Sequence, residues 1–301
     1  MSYNRDIGYF LRDEELFGFN YEISIKEILH REKTPFQLIE VVETIPFGRA
    51  LITDGLIMIT EIDECIYHEM MVHVPMSLVE SPKNILIIGG GDGGCAREVS
   101  RYPTVESIDL VEIDKRMIEI TKKYFKTWEG TNFEKLNIYI EDGFDFLKRA
   151  EKKYEVILLD ISAPIEIAEN LYSRESFNKI VSLLSEEGVF VIQSESIFTT
   201  PNVPKHIINQ VKDIVSFVKV YYACIPSFIL PWCFVIASKK NPPEIPKYSN
   251  LPKEELNKMK FYSREIHQAS FVLPPFVKRY LESKMTKGEL LNKELLREIL
   301  G

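Results

Sequence analysis

The chain has 301 residues, 45% of them hydrophobic and 27% charged. That is enough apolar surface for one large domain or two smaller ones, and it excludes a disordered chain or a disulfide-stapled miniature. Lys and Arg total 37 against 45 Asp and Glu, a formal charge of −8, which repels polyanions, argues against nucleic acid as a partner and favours cationic ligands. Four cysteines without a CxxC pair suggest neither a disulfide framework nor a cysteine zinc site, and make the cytoplasm the expected compartment. No run reaches the roughly 18 apolar residues of a membrane span. The opening MSYNRDIGYFLRDEE is too polar for a signal peptide, so the chain is expected to start at or near Met1.

From about residue 20 to 60, short segments rich in Ile, Val and Thr (YEISIKEIL, FQLIEVVETI, RALITDGLIMIT) are broken at Thr34-Pro35, Pro46-Phe47-Gly48 and Asp54-Gly55. These read as antiparallel strands, and they predict a small N-terminal β domain over 1–62. Residues 62–80 change to helical spacing. From Asn84 onward apolar runs alternate with amphipathic stretches, which predicts an α/β domain over 63–301.

The runs ILIIGG, SIDLVEI, NIYIED, VILLDI and VFVIQS are near-continuously apolar, as parallel strands buried on both faces should be. VKVYYACI and CFVIASK follow, too close together for a parallel crossover, so that last pair is predicted antiparallel. A Rossmann-like parallel sheet closed by a terminal antiparallel hairpin resembles the class I S-adenosylmethionine-dependent fold. NPPEIPKYSNLP at 241–252 reads as a surface connection. The closing GELLNKELLREILG carries an apolar stripe at helical spacing, a C-terminal helical extension that packs on its own domain or on another subunit.

Gly89-Gly90-Gly91-Asp92-Gly93-Gly94 follows the first long strand and opens an amphipathic stretch, so backbone can approach a ligand at the carboxyl edge of the sheet. A carboxylate inside that turn suits a cation better than a pyrophosphate. Asp92 therefore points away from NAD and toward a sulfonium or an amine. Glu112 ends the second strand, where an acid accepts hydrogen bonds from ribose hydroxyls. Asp142-Gly143 ends the third and Asp160 the fourth. Acids gathered at one edge repel one another unless something positive sits among them. His68, Glu69 and His73 form HExxxH rather than HExxH, which turns the histidines apart and argues against a metal site.

Taken together, several motifs resemble the aminopropyltransferases, the spermidine synthase family. They are Thr34-Pro35-Phe36-Gln37, Asp54-Gly55, Asp63-Glu64 with Tyr67-His68-Glu69 and His73, the GGGDGG turn, Val111-Glu112-Ile113-Asp114, Asp142-Gly143, Asp160, Gln193-Ser194-Glu195 and Ile266-His267-Gln268-Ala269-Ser270-Phe271. The resemblance runs from about residue 30 to 274. It implies transfer of a propylamine group from decarboxylated S-adenosylmethionine, a co-substrate and not a resident cofactor, to a polyamine or diamine, with release of methylthioadenosine. No metal is implied. The family likeness also carries an expected homodimer or homotetramer.

Under that likeness Gln37, Gly89, Gly91, Asp92, Glu112, Asp142 and Gly143 bind the donor. His68, Asp92, Asp160, Gln193 and Phe228 face the amines, Asp160 is the catalytic acid/base and Tyr67 orients the attacking nitrogen. Departures from the family pattern cluster at the amine end: Thr53 before Asp54-Gly55, Met58, Ala163-Pro164 continued by Ile165-Glu166-Ile167, and Phe228. Losing partners for a distal ammonium argues for an acceptor longer than putrescine, with Glu166, Glu169 and Glu195 as substitute anions. An S-adenosylmethionine methyltransferase and a catalytically silent nucleoside- or polyamine-binding paralogue are the alternatives.

Overall fold

The computed structural model describes residues 10–12, 22–161 and 170–283. The N-terminal part is a five-stranded antiparallel sheet in sequential order: β1 (Phe10–Arg12), β2 (Glu22–Lys33), β3 (Leu38–Thr44), β4 (Arg49–Thr53) and β5 (Leu56–Thr60). The strands expected between 20 and 60 are all present, and Asp54-Gly55 makes the β4–β5 turn with both residues at positive φ. β1 carries no signal in its three residues and is an addition. Val41 and Val42 are adjacent yet both buried, because both faces of the sheet are covered. Ile39, Val41, Leu51 and Ile59 pack on Met117, Ile120 and Phe125, while Ile23, Ile25, Val42 and Ile52 form a second cluster that Phe228 joins.

The larger sheet has seven strands: β6 (Asn84–Gly89), β7 (Ser107–Glu112), β8 (Leu136–Ile140), β9 (Tyr154–Asp160), β10 (Leu184–Ser196), β11 (Phe217–Cys224) and β12 (Pro231–Ser238). Their spatial order is β11-β12-β10-β9-β6-β7-β8. β6 to β10 pair in parallel, and β12 is antiparallel to both β10 and β11, as the strand spacing predicts. Ile85 and Ile87 face one core cluster and Leu86 and Ile88 the other; alternation between two buried faces is why the run is apolar throughout.

Helices α1 (Glu64–Met76), α2 (Gly94–Ser100) and α3 (Lys115–Tyr124) precede α4 (Gly143–Arg149), α5 (Arg174–Leu183) and α6 (Asn202–Val211). The 241–252 segment is strapped to the end of α1 rather than lying loosely on the surface. Asn250 Nδ2 donates to Met76 O, and the Lys247 and Tyr248 amides both donate to Ser77 O. No described helix is long and apolar enough to cross a membrane. The C-terminal leucine stripe lies outside the described residues, as do Ala163-Pro164, Ile165, Glu166, Ile167 and Glu169.

The chain leaves β6 toward β7 on one side, while β9 pairs on the other side of β6. A crevice opens at such a switch point, outside the carboxyl ends of the strands. The glycine turn and Asp160 both stand there.

Candidate active site

Close backbone approach builds the floor of this crevice. Gly89 pairs with Asp160 across β6 and β9 at φ 80, and a Cβ at Gly89 would stand 2.0 Å from the Asp160 carbonyl oxygen. The Gly90 amide donates to that same carbonyl at 3.0 Å. Gly94 serves α1 instead, since a Cβ there would lie 2.2 Å from the His68 ring. Only a bare backbone admits that imidazole.

Glu64, Tyr67 and His68 share one face of α1 at i, i+3 and i+4, and that face looks onto the strand ends. The Tyr67 hydroxyl donates to Asp160 Oδ1 at 2.6 Å, and the Cys95 thiol donates to Asp160 Oδ2 at 3.2 Å. Burial, then the nearby Asp92 charge, raises Asp160 above its usual carboxyl range. Burial and the Asp160 charge push the Tyr67 phenol well above its ordinary value. The hydroxyl therefore keeps its proton and acts as a donor.

Asp92 behaves oppositely. Burial works against its charge, but His68 and the Gly94 amide, 2.7 Å from Oδ1, hold its carboxyl below the usual range. His68 Nε2 lies 3.2 Å from Asp92 Oδ1, and Nδ1 lies 2.6 Å from Glu64 Oε2. Burial alone would lower this histidine, yet two facing carboxylates raise it to about 10. Its ring is 0% exposed. His68 thus has both ring nitrogens engaged by carboxylates, Nε2 by Asp92 and Nδ1 by Glu64. Environment has separated two neighbouring acids, one ionised and one poised to take a proton.

At the end of β7, Glu112 accepts from the Gly91 amide at 3.1 Å and the Asp114 amide at 2.8 Å. Burial, with the neighbouring Asp114 charge, still lifts it to about 7. Asp114 caps α3 and receives Thr34 Oγ1 at 2.7 Å and Gln37 Nε2 at 3.1 Å. This link brings Gln37 of the N-terminal domain to the strand ends. Asp142 Oδ1 caps α4 through the Phe144 and Asp145 amides, and Gly143 lies against Ile88, where a Cβ would come within 2.5 Å.

Toward the hairpin, Gln193 Nε2 donates to Ile161 O at 2.6 Å, and Gln193 Oε1 accepts from the Glu195 amide. This pins the segment that leaves β9. Glu195 itself adopts φ 61 where the β10–β12 register shifts; such bulges re-aim side chains at sheet ends. Phe228 meets Tyr67 edge-on at 6.3 Å and Trp232 at 4.7 Å. It is held by Ser227, whose amide and hydroxyl both donate to buried Asp63.

Sequence reasoning missed Cys95 as part of this constellation, and it quoted Asp63, Glu64 and Asp114 in motifs without giving them a role. The i, i+4 spacing of Glu64 and His68 was a readable signal, but Cys95 on Asp160 is a contact between distant segments. His73 goes elsewhere, to Tyr102 and Glu98, as its HExxxH spacing requires. One atom each of His68, Cys95 and Asp160 lie within 4.8 Å of one another, yet the donor set does not suit a metal. Both His68 ring nitrogens already face carboxylates, Glu64 and Asp92, and both Asp160 oxygens already accept hydrogen bonds, from Tyr67 and Cys95.

Residues 64–249 match the spermine/spermidine synthase domain, and residues 10–61 match the spermidine synthase tetramerisation domain. The chain belongs to the spermine/spermidine synthase family. It is 39% identical over 261 residues to a polyamine aminopropyltransferase of Bacillus cytotoxicus, covering 86% of this chain and 94% of that one. A polyamine aminopropyltransferase of Desulforudis audaxviator is 37% identical over 270 residues, covering 88% and 96%. A spermidine synthase crystallised with the transition-state analogue AdoDATO superposes with a TM-score of 0.84 at 30% identity, covering 92% of this chain and 98% of that one. For the spermidine synthase of Thermotoga maritima the TM-score is 0.82 at 30% identity, covering 91% and 94%. The α/β architecture with its terminal hairpin is that of these relatives.

Proposed function

We propose that this chain is a polyamine aminopropyltransferase in which Asp160 is the general base. The carrying observation is Asp160 itself: at a strand end, bonded by the Tyr67 hydroxyl, raised by burial and by Asp92. The acceptor nitrogen enters as an ammonium with a pKa of about 10, judged by lysine, and must lose a proton before it can attack. Asp160 takes that proton. The nitrogen lone pair forms a bond to the carbon beside sulfur, the carbon–sulfur bond breaks, and its electrons neutralise the sulfonium to leave methylthioadenosine. Positioned proton transfer contributes roughly 10²–10⁴-fold, and in-line placement of the reactants supplies much of the rest.

Glu112, Gln37, Asp142, Gly89, Gly91 and Gly143 line the nucleoside side in this reading. Asp92, held ionised by His68, faces the propylamine ammonium; it would repel the carboxylate of intact S-adenosylmethionine, which disfavours a methyltransferase. The tight Tyr67–Asp160 pair argues against a silent paralogue. Gln193 and Phe228 border the acceptor. Met58 packs among apolar residues of the N-terminal core and offers a distal ammonium nothing. This supports an acceptor longer than putrescine, such as agmatine, a triamine or a cadaverine-like chain. We place the domain boundary at 62/63, with the N-terminal sheet mediating a homo-oligomer, a homotetramer in keeping with the domain that residues 10–61 match, and the cytoplasm as the compartment.

The test is mass spectrometry of products after incubation with decarboxylated donor and a mixture of amines. Methylthioadenosine with an aminopropylated amine is expected, and methyl transfer from intact S-adenosylmethionine would overturn the reading. A panel in which putrescine gives the highest kcat/KM would defeat the acceptor assignment alone.

A further inference from the structure

Four ionisable side chains alternate in sign across the end of α1. Asp92 meets His68 at 3.2 Å, and His68 meets Glu64 at 2.6 Å. Glu64 is gripped by both arms of Arg97, Nη1 to Oε1 at 3.0 Å and Nη2 to Oε2 at 2.8 Å. The side chains are 14%, 0%, 10% and 11% exposed along that row. Arg97 Nε also donates to buried Glu98 at 2.7 Å; buried ion pairs of this kind add little to stability over apolar packing of the same volume, so a row that reaches the carboxylate of the glycine turn calls for a reason other than stability. A fork-to-fork Arg–carboxylate contact fixes orientation as well as charge. Glu64 therefore has one rotamer and presents one oxygen to His68.

We infer that Glu64 and Arg97 are positioning residues of the donor site, acting through a doubly hydrogen-bonded His68 to aim the Asp92 carboxylate at the ammonium of the donor. This inference rests on the aminopropyltransferase reading for the identity of the donor. The groups around the His68 ring are Glu64 and Tyr67 from α1, Asp92 from the glycine turn, Cys95 from α2 and Asp160 from β9. Two carboxylates in direct contact with one imidazole keep its second proton. If Glu64 becomes neutral, the ring keeps one strong partner and gives up that proton at lower pH. Asp92 then loses the cation that fixes its rotamer and its ionisation.

The experiment uses the full-length enzyme with Glu64→Gln and Glu64→Asp. In Glu64→Gln the KM for decarboxylated S-adenosylmethionine should rise about tenfold or more at pH 8, as loss of a charged hydrogen bond implies, while kcat changes less than about threefold. A new alkaline limb should appear in the pH profile of kcat/KM for the donor, and Glu64→Asp should recover part of the loss. Ligand-free wild-type enzyme labelled with ¹⁵N-histidine, with His68→Gln as the assignment control, should show both His68 ring N–H groups at pH 8. A singly protonated ring in the wild type would overturn the inference whether or not the variants fold, as would a folded Glu64→Gln with unchanged donor KM and pH profile. Failure of the wild type to make methylthioadenosine with any amine would instead sink the aminopropyltransferase reading, and the ring signals are read without substrate.

Discussion

Glu112→Gln isolates a conflict between stability and donor binding. Glu112 is 8% exposed and its pKa is raised from 4.5 to about 7, by burial and then by Asp114 against two backbone donors. A folded-state pKa above the unfolded one means the folded chain binds the proton more tightly. Stability is therefore full below about pH 4.5 and is lost as pH climbs to about 7, flattening beyond. At about 1.4 kcal/mol per pKa unit, ionising Glu112 costs about 3 kcal/mol, most of which falls between pH 5 and pH 8. The amide cannot ionise, so that slope vanishes in the variant.

A fixed penalty enters as well. The Gly91 and Asp114 amides use separate carboxylate oxygens, and glutamine has one acceptor oxygen, so one amide loses its partner for about 1–3 kcal/mol at every pH. Urea unfolding of wild type and variant at pH 5 and pH 8, at one protein concentration so that subunit association cancels, should show the variant gaining about 2–3 kcal/mol on the wild type between the two pH values. Under the proposed role of a charged Glu112 as acceptor for ribose hydroxyls, donor affinity by calorimetry should fall at pH 8. A stability difference independent of pH would refute the buried, raised Glu112 on which the reasoning stands.

Asp160→Asn should lower kcat by at least about 100-fold with donor binding by calorimetry nearly intact; near-normal turnover would remove Asp160 from the mechanism. Tyr67→Phe deletes the hydrogen bond that favours ionised Asp160, so the acidic limb of the kcat/KM profile should move to higher pH, and a limb that stays in place would argue against the pair. Gly94→Ala sets a methyl 2.2 Å from the His68 ring. It should weaken donor binding by displacing His68 from Asp92, and wild-type donor KM in a folded Gly94→Ala enzyme would count against that contact. Asp63→Ala strips an acceptor from Ser227 and Thr60 in a buried position; melting should show a loss of about 2–4 kcal/mol, and a loss under about 1 would deny Asp63 its part in holding the Phe228 turn.

The sequence alone determined which segments become strands, β1 apart, and how the last two pair, because buried parallel strands need unbroken apolar runs and a crossover needs length. It also determined that acids end successive strands at the switch point, since the glycine turn, VEID, EDG and LLD are local strings that can be read in place. Tertiary structure decided what each acid does. Asp92 and Asp160 look alike in sequence, yet one is held ionised by His68 from α1 while the other is raised by burial and gripped by Tyr67 and Cys95. Those partners come from segments that meet only when α1 and α2 dock on the sheet. Charge state depends on desolvation and on neighbours within a few ångströms, and neither distance nor burial is written in residue spacing.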